Sequence, residues 1–231
     1  MEISLLCWNI QKRSMTKKFQ HVFENLLERH PSHIVAIQEV RLPHHGHMPH
    51  FFKAFSHALS CNIVRNRECF GVMTLSRYPL LASEPYLSQM KEIGFATRKS
   101  AVLTKHLLPN GKTLALLNVH AINFVPYRLF ERELERLSLL LAKSEERYLI
   151  VAGDFNTWSE KRQRLLCRLM RMHRLKKAKL QNASDIKSIL GKPLDHIYYR
   201  GLRLEHALVI DTPVSDHNPI HALFSVKPES P

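Results

Sequence analysis

Six separated segments of this chain place carboxylates, amides and histidines in patterns suited to hydrolysis. Asn9 and Gln11 follow an apolar run at residues 3–8, and Glu39 follows another at 34–38. His120 and Asn123 close a run at 114–119, and Asp154 and Asn156 stand in Gly-Asp-Phe-Asn. Asp195 lies in Leu-Asp-His-Ile, and Asp216 and His217 lie in Ser-Asp-His-Asn-Pro. Carboxylate and amide oxygens are hard donors, which select Mg2+ or Mn2+ over zinc. Such an ion binds a phosphate oxygen and offsets charge on a leaving oxygen. A histidine held by a carboxylate can take a proton from water. No serine or cysteine stands as a convincing nucleophile. The chemistry these types support is metal-assisted hydrolysis of a phosphate ester.

Taken singly, each residue has a plainer explanation. Asp154 could form a turn, Glu39 could face solvent, and His120 could be a satisfied core histidine. Their joint occurrence outweighs those explanations, because strand ends on one edge of a sheet converge in space. Asp154 and Asn156, two apart in extended chain, face the same side.

The elements that must position these groups follow from apolar periodicity. Short runs at 3–8, 34–38, 70–75, 101–107, 114–119, 148–151, 197–199 and 220–224 predict strands. Phe19, Val22, Phe23, Leu26 and Leu27 repeat at helical spacing behind Thr16, a fitting N-cap. Further helices are predicted near 50–59, 127–145 and 160–175. Pro-Asn-Gly at 109–111 joins two strands with no helix between them, so the sheets are mixed. No repeat or linker interrupts the chain, and one α/β domain over residues 1–231 is the simplest organisation.

Composition removes other classes. The 231 residues are 45% hydrophobic and 23% charged, enough for a sizeable core. The closest of the seven glycines, Gly191 and Gly201, are ten residues apart. Dinucleotide-binding GxGxxG, the Walker loop and the GxSxG elbow are therefore excluded. No histidine precedes a glutamate, which excludes HExxH. The net charge of +14 points to a polyanionic partner.

These segments resemble, in order and rough spacing, the endonuclease/exonuclease/phosphatase superfamily, the DNase I-like fold. The carrying motifs are Trp-Asn-Ile-Gln, Gln-Glu-Val, Asn-Val-His, Gly-Asp-Phe-Asn, Leu-Asp-His-Ile and Ser-Asp-His-Asn-Pro-Ile, from Trp8 to Ile220. The resemblance implies an α/β (α+β) four-layer sandwich of two packed, mostly antiparallel sheets flanked by helices. It implies Glu39 as principal metal ligand, Asn9 beside the metal, and Asp216 as a direct or water-mediated ligand of Mg2+ or Mn2+. His217 would be the catalytic histidine and Asp195 its orienting carboxylate. Asp154 would position or activate water, with the choice between it and His217 as general base left open. Asn156 and His120 would hold the scissile phosphate. Arg98 would bind phosphate, and Arg41 would contact DNA. Gln11, with no glycine after it, departs from abasic-site nucleases, while His120 is similar to the DNase I and toxin-nuclease branch. The implied activity is Mg2+-dependent cleavage of nucleic acid, with DNA bound through backbone phosphates by a monomer. The alternative is a sphingomyelinase-like or phosphoinositide-type phosphoesterase acting at an anionic lipid surface.

Three further segments bear on partners and compartment. Residues 160–179 hold nine Lys/Arg and one Glu, reading as a helix with an apolar stripe and a basic back that attracts phosphates. His44, His45, His47 and His50 crowd one loop whose spacing fits no standard zinc site, so an exposed loop beside the groove is expected. The four cysteines make no scaffold, so free thiols in a reducing compartment are the default, with a Cys61–Cys69 pair across a hairpin as the lesser alternative. The N-terminus reads as a strand and no stretch is long enough to span a membrane, which gives a cytoplasmic expectation.

Overall fold

The computed structural model describes residues 1–45, 48–92 and 97–226. Alternation along its first strand sets the architecture. On β1 (Glu2–Asn9), Ile3, Leu5 and Cys7 join one apolar cluster while Leu6 and Trp8 join another. A strand buried on both faces needs a layer on each side.

The first sheet contains β1, β2 (Ile34–Pro43), β3 (Ser56–Arg65), β4 (Glu68–Ser76), β13 (Leu202–Val209) and β14 (Ile220–Val226), in the order β13-β14-β1-β2-β4-β3. The second contains β5 (Leu80–Leu87), β6 (Ser100–Leu107), β7 (Thr113–His120), β8 (Tyr148–Asp154), β9 (Lys176–Lys177) and β12 (Asp195–Arg200), in the order β5-β6-β7-β8-β12-β9. A short hairpin, β10 (Ser188–Ile189) with β11 (Lys192–Pro193), stands apart. Only β1/β2 and β7/β8 are parallel among the described pairs. Parallel neighbours need a crossover, and α1 (Lys17–Arg29) and α2 (Tyr127–Ala142) supply the two.

Thr16 caps α1 by accepting from the Phe19 N–H at 3.2 Å. That cap is worth about 1 kcal/mol. Burying Phe19, Phe23 and Leu26 against the first sheet contributes ~1.5–3 kcal/mol each, so packing rather than capping holds the helix in place. On the far side, α2 and α3 (Glu160–Met172) cover the second sheet through Phe130, Leu134, Leu165 and Leu169. The result is four layers with an apolar layer between the sheets, as the resemblance implied.

Four expectations need correction. The helix expected near 50–59 is a single 3-10 turn, His50–Phe52, followed by β3. Phe52 packs under Phe23 of α1, while the residues after it pair with β4. Strands β5 and β13 were not expected at all. The free-thiol default also fails for one pair. Cys61 and Cys69 form a disulfide between β3 and β4, their Cα atoms 5.8 Å apart beside a bulge in the ladder. Finally, Arg162 of the expected basic back is buried, as described below.

Candidate active site

The inter-sheet face of each central strand ends in a polar residue, because side chains repeat every second position. Ile3, Leu5 and Cys7 lead to Asn9, and Tyr148, Ile150 and Ala152 lead to Asp154. Leu114 and Leu116 lead to Asn118 and then His120. On antiparallel β12 the order reverses, and Asp195 precedes Ile197 directly opposite Asp154. A buried amide pair marks the border between core and site: Gln38 Nε2 donates to Asn118 Oδ1 at 2.7 Å.

Glu39 reaches this edge by breaking the alternation. A bulge between Ile37 and Val40, with Glu39 at φ +54, turns its side chain away from the helix-facing row of Val35 and Ile37. Strained left-handed backbone at a non-glycine residue persists only where surrounding structure imposes it. Gly153 shows a second close approach. A Cβ there would lie 1.9 Å from the Val119 carbonyl, so β7 and β8 meet only because the residue is glycine.

These placements bring six of the expected residues together. His217 Nδ1 and Asp195 Oδ2 are 2.7 Å apart, a hydrogen-bonded dyad. Asn9 Nδ2 donates to Asp154 Oδ2 at 3.0 Å, and His217 Nε2 lies 3.9 Å from the same oxygen. His120 Nε2 is 3.6 Å from Asp154 Oδ2 and 3.8 Å from Glu39 Oε1. The loop carrying His217 is tied to β1, since Trp8 Nε1 donates to the His217 carbonyl at 2.8 Å and Ser215 Oγ to the Asn9 carbonyl at 2.7 Å.

Burial and crowding set the charges. Asp154 is pushed up to about 7 by burial and by the Asp195 carboxylate beside it. Burial opposes a charge on His217, but Asp195 outweighs it through charge and hydrogen bond and, with Asp154, raises His217 to about 9. Burial and the neighbouring Lys99 ammonium hold His120 well below the usual histidine range. His120 is therefore neutral, and its Nε2 accepts from Lys99 Nζ at 3.1 Å.

The other expected residues stand differently. Asn156, at φ +51, donates its backbone N–H to Asp154 Oδ1 at 3.0 Å and its Nδ2 to the Ala121 carbonyl at 2.9 Å. It ties β8 to the end of β7. Asp216 is 46% exposed and pairs with Lys187 at 3.2 Å. Arg41 is held by Glu68 at 2.7 Å, and Arg98 donates to the Ser88 carbonyl at 2.8 Å. Of the histidine loop, His44 and His45 are exposed and hydrogen-bonded to each other, while Gly46 and His47 lie outside the described residues.

Sequence reasoning missed three residues. Lys99, next to Arg98 in the segment before β6, is the one that reaches His120 and Glu92. Lys12 Nζ stands 4.0 Å from Glu39 Oε2. Arg162 donates to the carbonyls of Asn156, Asn123 and Val125 at 2.8–3.0 Å, with Phe130 and Trp158 against its guanidinium. It fastens the two loops of the site from behind.

The donor set suits a divalent cation. Carboxylate oxygens of Asp154 and Asp195 lie within 4.8 Å of each other at the end of the apolar layer, and Asp195 Oδ1 is buried with no hydrogen-bond partner. Glu39 adds a carboxylate on the open side. Buried carboxylates this close favour an added positive charge.

A fold of two helix-flanked mixed sheets with this edge defines a class. The chain belongs to the endonuclease/exonuclease/phosphatase family, whose sequence profile matches residues 6–217. Members of that superfamily are usually hydrolases acting on phosphoesters, typically with a divalent metal. Among relatives, a UPF0294 protein of Vibrio campbellii is 35% identical over 157 residues, 68% of this chain and 55% of that protein. The match thus spans about half of that relative's length. A UPF0294 protein of Vibrio cholerae is 32% identical over 236 residues, 96% of this chain and 78% of that protein. Three solved structures share the fold. The endonuclease/exonuclease/phosphatase of Beutenbergia cavernae gives a TM-score of 0.76 at 13% identity, covering 97% of this chain and 72% of its own. The human Nocturnin catalytic domain with bound sulfate gives 0.71 at 17%, covering 98% and 95%. D. rerio TDP2 complexed with single strand DNA product gives 0.66 at 14%, covering 97% and 99%. Among the described residues no helix is long and apolar enough to cross a membrane.

Proposed function

We propose that this protein is a Mg2+- or Mn2+-dependent phosphodiesterase that cuts nucleic acid, acting as a DNase I-like endonuclease on DNA. The observation that carries the reading is the convergence of Asn9, Glu39, His120, Asp154, Asp195 and His217 at one edge of the two sheets. The net charge of +14 supports a polyanionic substrate held through its backbone phosphates.

Glu39 and Asn9 would hold the metal. When bound, it supplies a positive charge that offsets developing negative charge on the phosphate. The chain's own groups account for the remaining roles. Asp154, raised toward neutrality, is suited to take a proton from the attacking water. His217, kept protonated by Asp195, presents Nε2 to the phosphate as donor and positive charge. His120 and Lys99 meet the phosphate on the Glu39 side. Asn156 and Arg162 keep the two loops in register.

Plasmid nicking in Mg2+ or Mn2+, stopped by EDTA and lost in His217→Ala, is the expected outcome. A metal-replete, folded protein inert on DNA and RNA overturns the reading. One observation favours a second reading, hydrolysis of a lipid phosphodiester. Leu190 and Ile189 at the β10–β11 tip are 84% and 40% exposed, flanked by Lys187 and Lys192. Release of phosphorylated headgroup from anionic vesicles, with no nicking, would establish it instead.

A further inference from the structure

Where the apolar layer between the sheets reaches the site, two fully buried amides stand in it, Gln38 of β2 and Asn118 of β7. Their inward-facing neighbours on the same strands are Ile34, Ala36, Leu114 and Leu116. Buried amides are costly unless their polar atoms are matched. Here they are matched across the gap. Gln38 Nε2 donates to Asn118 Oδ1 at 2.7 Å and to the Ala36 carbonyl at 3.3 Å. Cys7 Sγ lies 3.7 Å from Gln38 Nε2 and 4.0 Å from Gln38 Oε1. Asn118 Nδ2 donates to the carbonyls of Ile37 at 3.2 Å and Met73 at 2.9 Å, and lies 3.5 Å from Thr74 Oγ1.

Those two carbonyls mark a particular place. Ile37 and Met73 are the last pair in register before the β2 bulge, and the next pair is Val40 with Gly71. Gln38 and Glu39 therefore share Val72 as their partner across the ladder. Asn118 reaches over from the second sheet and grips both strands of the first where the extra residue enters. The loop after β1 holds the bulge from its other side. The N–H groups of Ile10 and Lys12 donate to the carbonyls of Gln38 and Glu39 at 3.0 and 2.9 Å. Between these grips Glu39 keeps φ +54, a conformation that a non-glycine residue leaves when nothing imposes it. Moving the bulge by one position would turn Glu39 to the helix-facing side.

We propose, resting on the metal-dependent reading above, that the Gln38–Asn118 pair is a positioning device that sets the Glu39 carboxylate for the metal. Apolar side chains at these two places would hold the sheets together without direction. Hydrogen bonds across the gap have direction, and they fix β2 against β7. They thereby fix Glu39 of one sheet against His120 of the other, two residues beyond Asn118. Both amides act through the Glu39 backbone.

The test uses the full chain, stripped of metal and titrated with Mn2+ by electron paramagnetic resonance, with urea unfolding alongside. The double variant Gln38→Leu/Asn118→Leu is compared with Leu116→Ala, which opens a cavity on the same face of β7 and leaves the bulge untouched. The expected result is that the folded double variant binds Mn2+ about ten- to a hundredfold more weakly than the unaltered protein. Amide exchange at residues 37–40 quickens in it. Leu116→Ala, though destabilised, keeps its Mn2+ affinity and its slow exchange at the bulge. A folded double variant that binds Mn2+ as tightly as Leu116→Ala overturns the proposal and leaves the metal reading intact. If the double variant does not fold, Gln38→Met, which keeps the volume and unpairs Asn118 Oδ1, is judged by the same comparison. An unaltered protein that binds no Mn2+ removes the metal reading and the proposal together.

Discussion

The layer between the sheets has two ends built by the same strands in the same alternation, yet they obey opposite rules. At one end Ile3, Leu5, Leu114, Leu116 and Ile150 exclude water and carry no polar atoms. At the other, the next residues along those strands are Asn9, His120 and Asp154, equally buried but crowded with charge. Apolar burial is non-directional and tolerates small shifts. Buried charge is stable only with correctly placed partners. The apolar end thus serves as the rigid anvil that keeps the charged end in place.

The strongest way to break this contrast is to cut each end separately. His217→Ala should lower nicking by about 10²–10⁴-fold in protein that still folds, with the urea midpoint lowered because Asp195 loses its buried partner. Leu116→Ala, at the apolar end, should cost ~2–5 kcal/mol in urea unfolding while the folded fraction keeps its turnover. If His217→Ala unfolded the protein and Leu116→Ala left stability untouched, the division would be wrong. Gly153→Ala tests the border itself: the added Cβ forces β7 from β8, with ~1–3 kcal/mol lost and activity falling alongside. Lys99→Gln should reduce kcat/KM by about tenfold, and Arg98→Gln, whose guanidinium is turned to Ser88, by much less. Measured side by side, these two decide which residue faces the substrate.

The last effect concerns pH. His106 and His221 are buried with no carboxylate partner among their hydrogen bonds, and burial lowers both to about 4. The unfolded chain binds protons to them below about 6.5, where the folded protein does not. Their contribution to stability is present above 6.5 and is lost as pH falls toward 4. An unfolding free energy that drops by ~2 kcal/mol between pH 7 and pH 5.5, and drops less in His106→Gln, would sharpen the contrast with His217, which Asp195 shifts upward.

Much of this layout is legible in the residue order. The runs at 3–8, 114–119 and 148–151 read as strands because both faces are covered and nearly every position is apolar. The site at their ends follows from the same pattern. What escaped detection has little inward-facing surface. Strand β5 is mostly exposed, carries Pro85 and lies at a sheet edge, so no alternation marks it. Strand β13 also lies at an edge and is half exposed, with a bulge near Leu204. The aromatic spacing at Phe51, Phe52 and Phe55 imitates a helix, but pairing with β4 overrides it from Ser56 onward. Lys99 was lost to its neighbour by a single residue, because both lie in the irregular segment before β6, where no alternation says which of the two turns inward. Arg162 was invisible because charge in a sequence does not say which carbonyls await it.

The cross-link between Cys61 and Cys69 has a practical corollary. It staples the hairpin whose Ile63 and Phe70 line a cavity beside Glu39 and His120, whereas Asp195 stands on β12 and His217 on the loop before β14. A dithiol reagent in the buffer would loosen only the former. The same preparation, handled under air or under reductant, would then differ in the shape of that cavity and not in the geometry of the dyad.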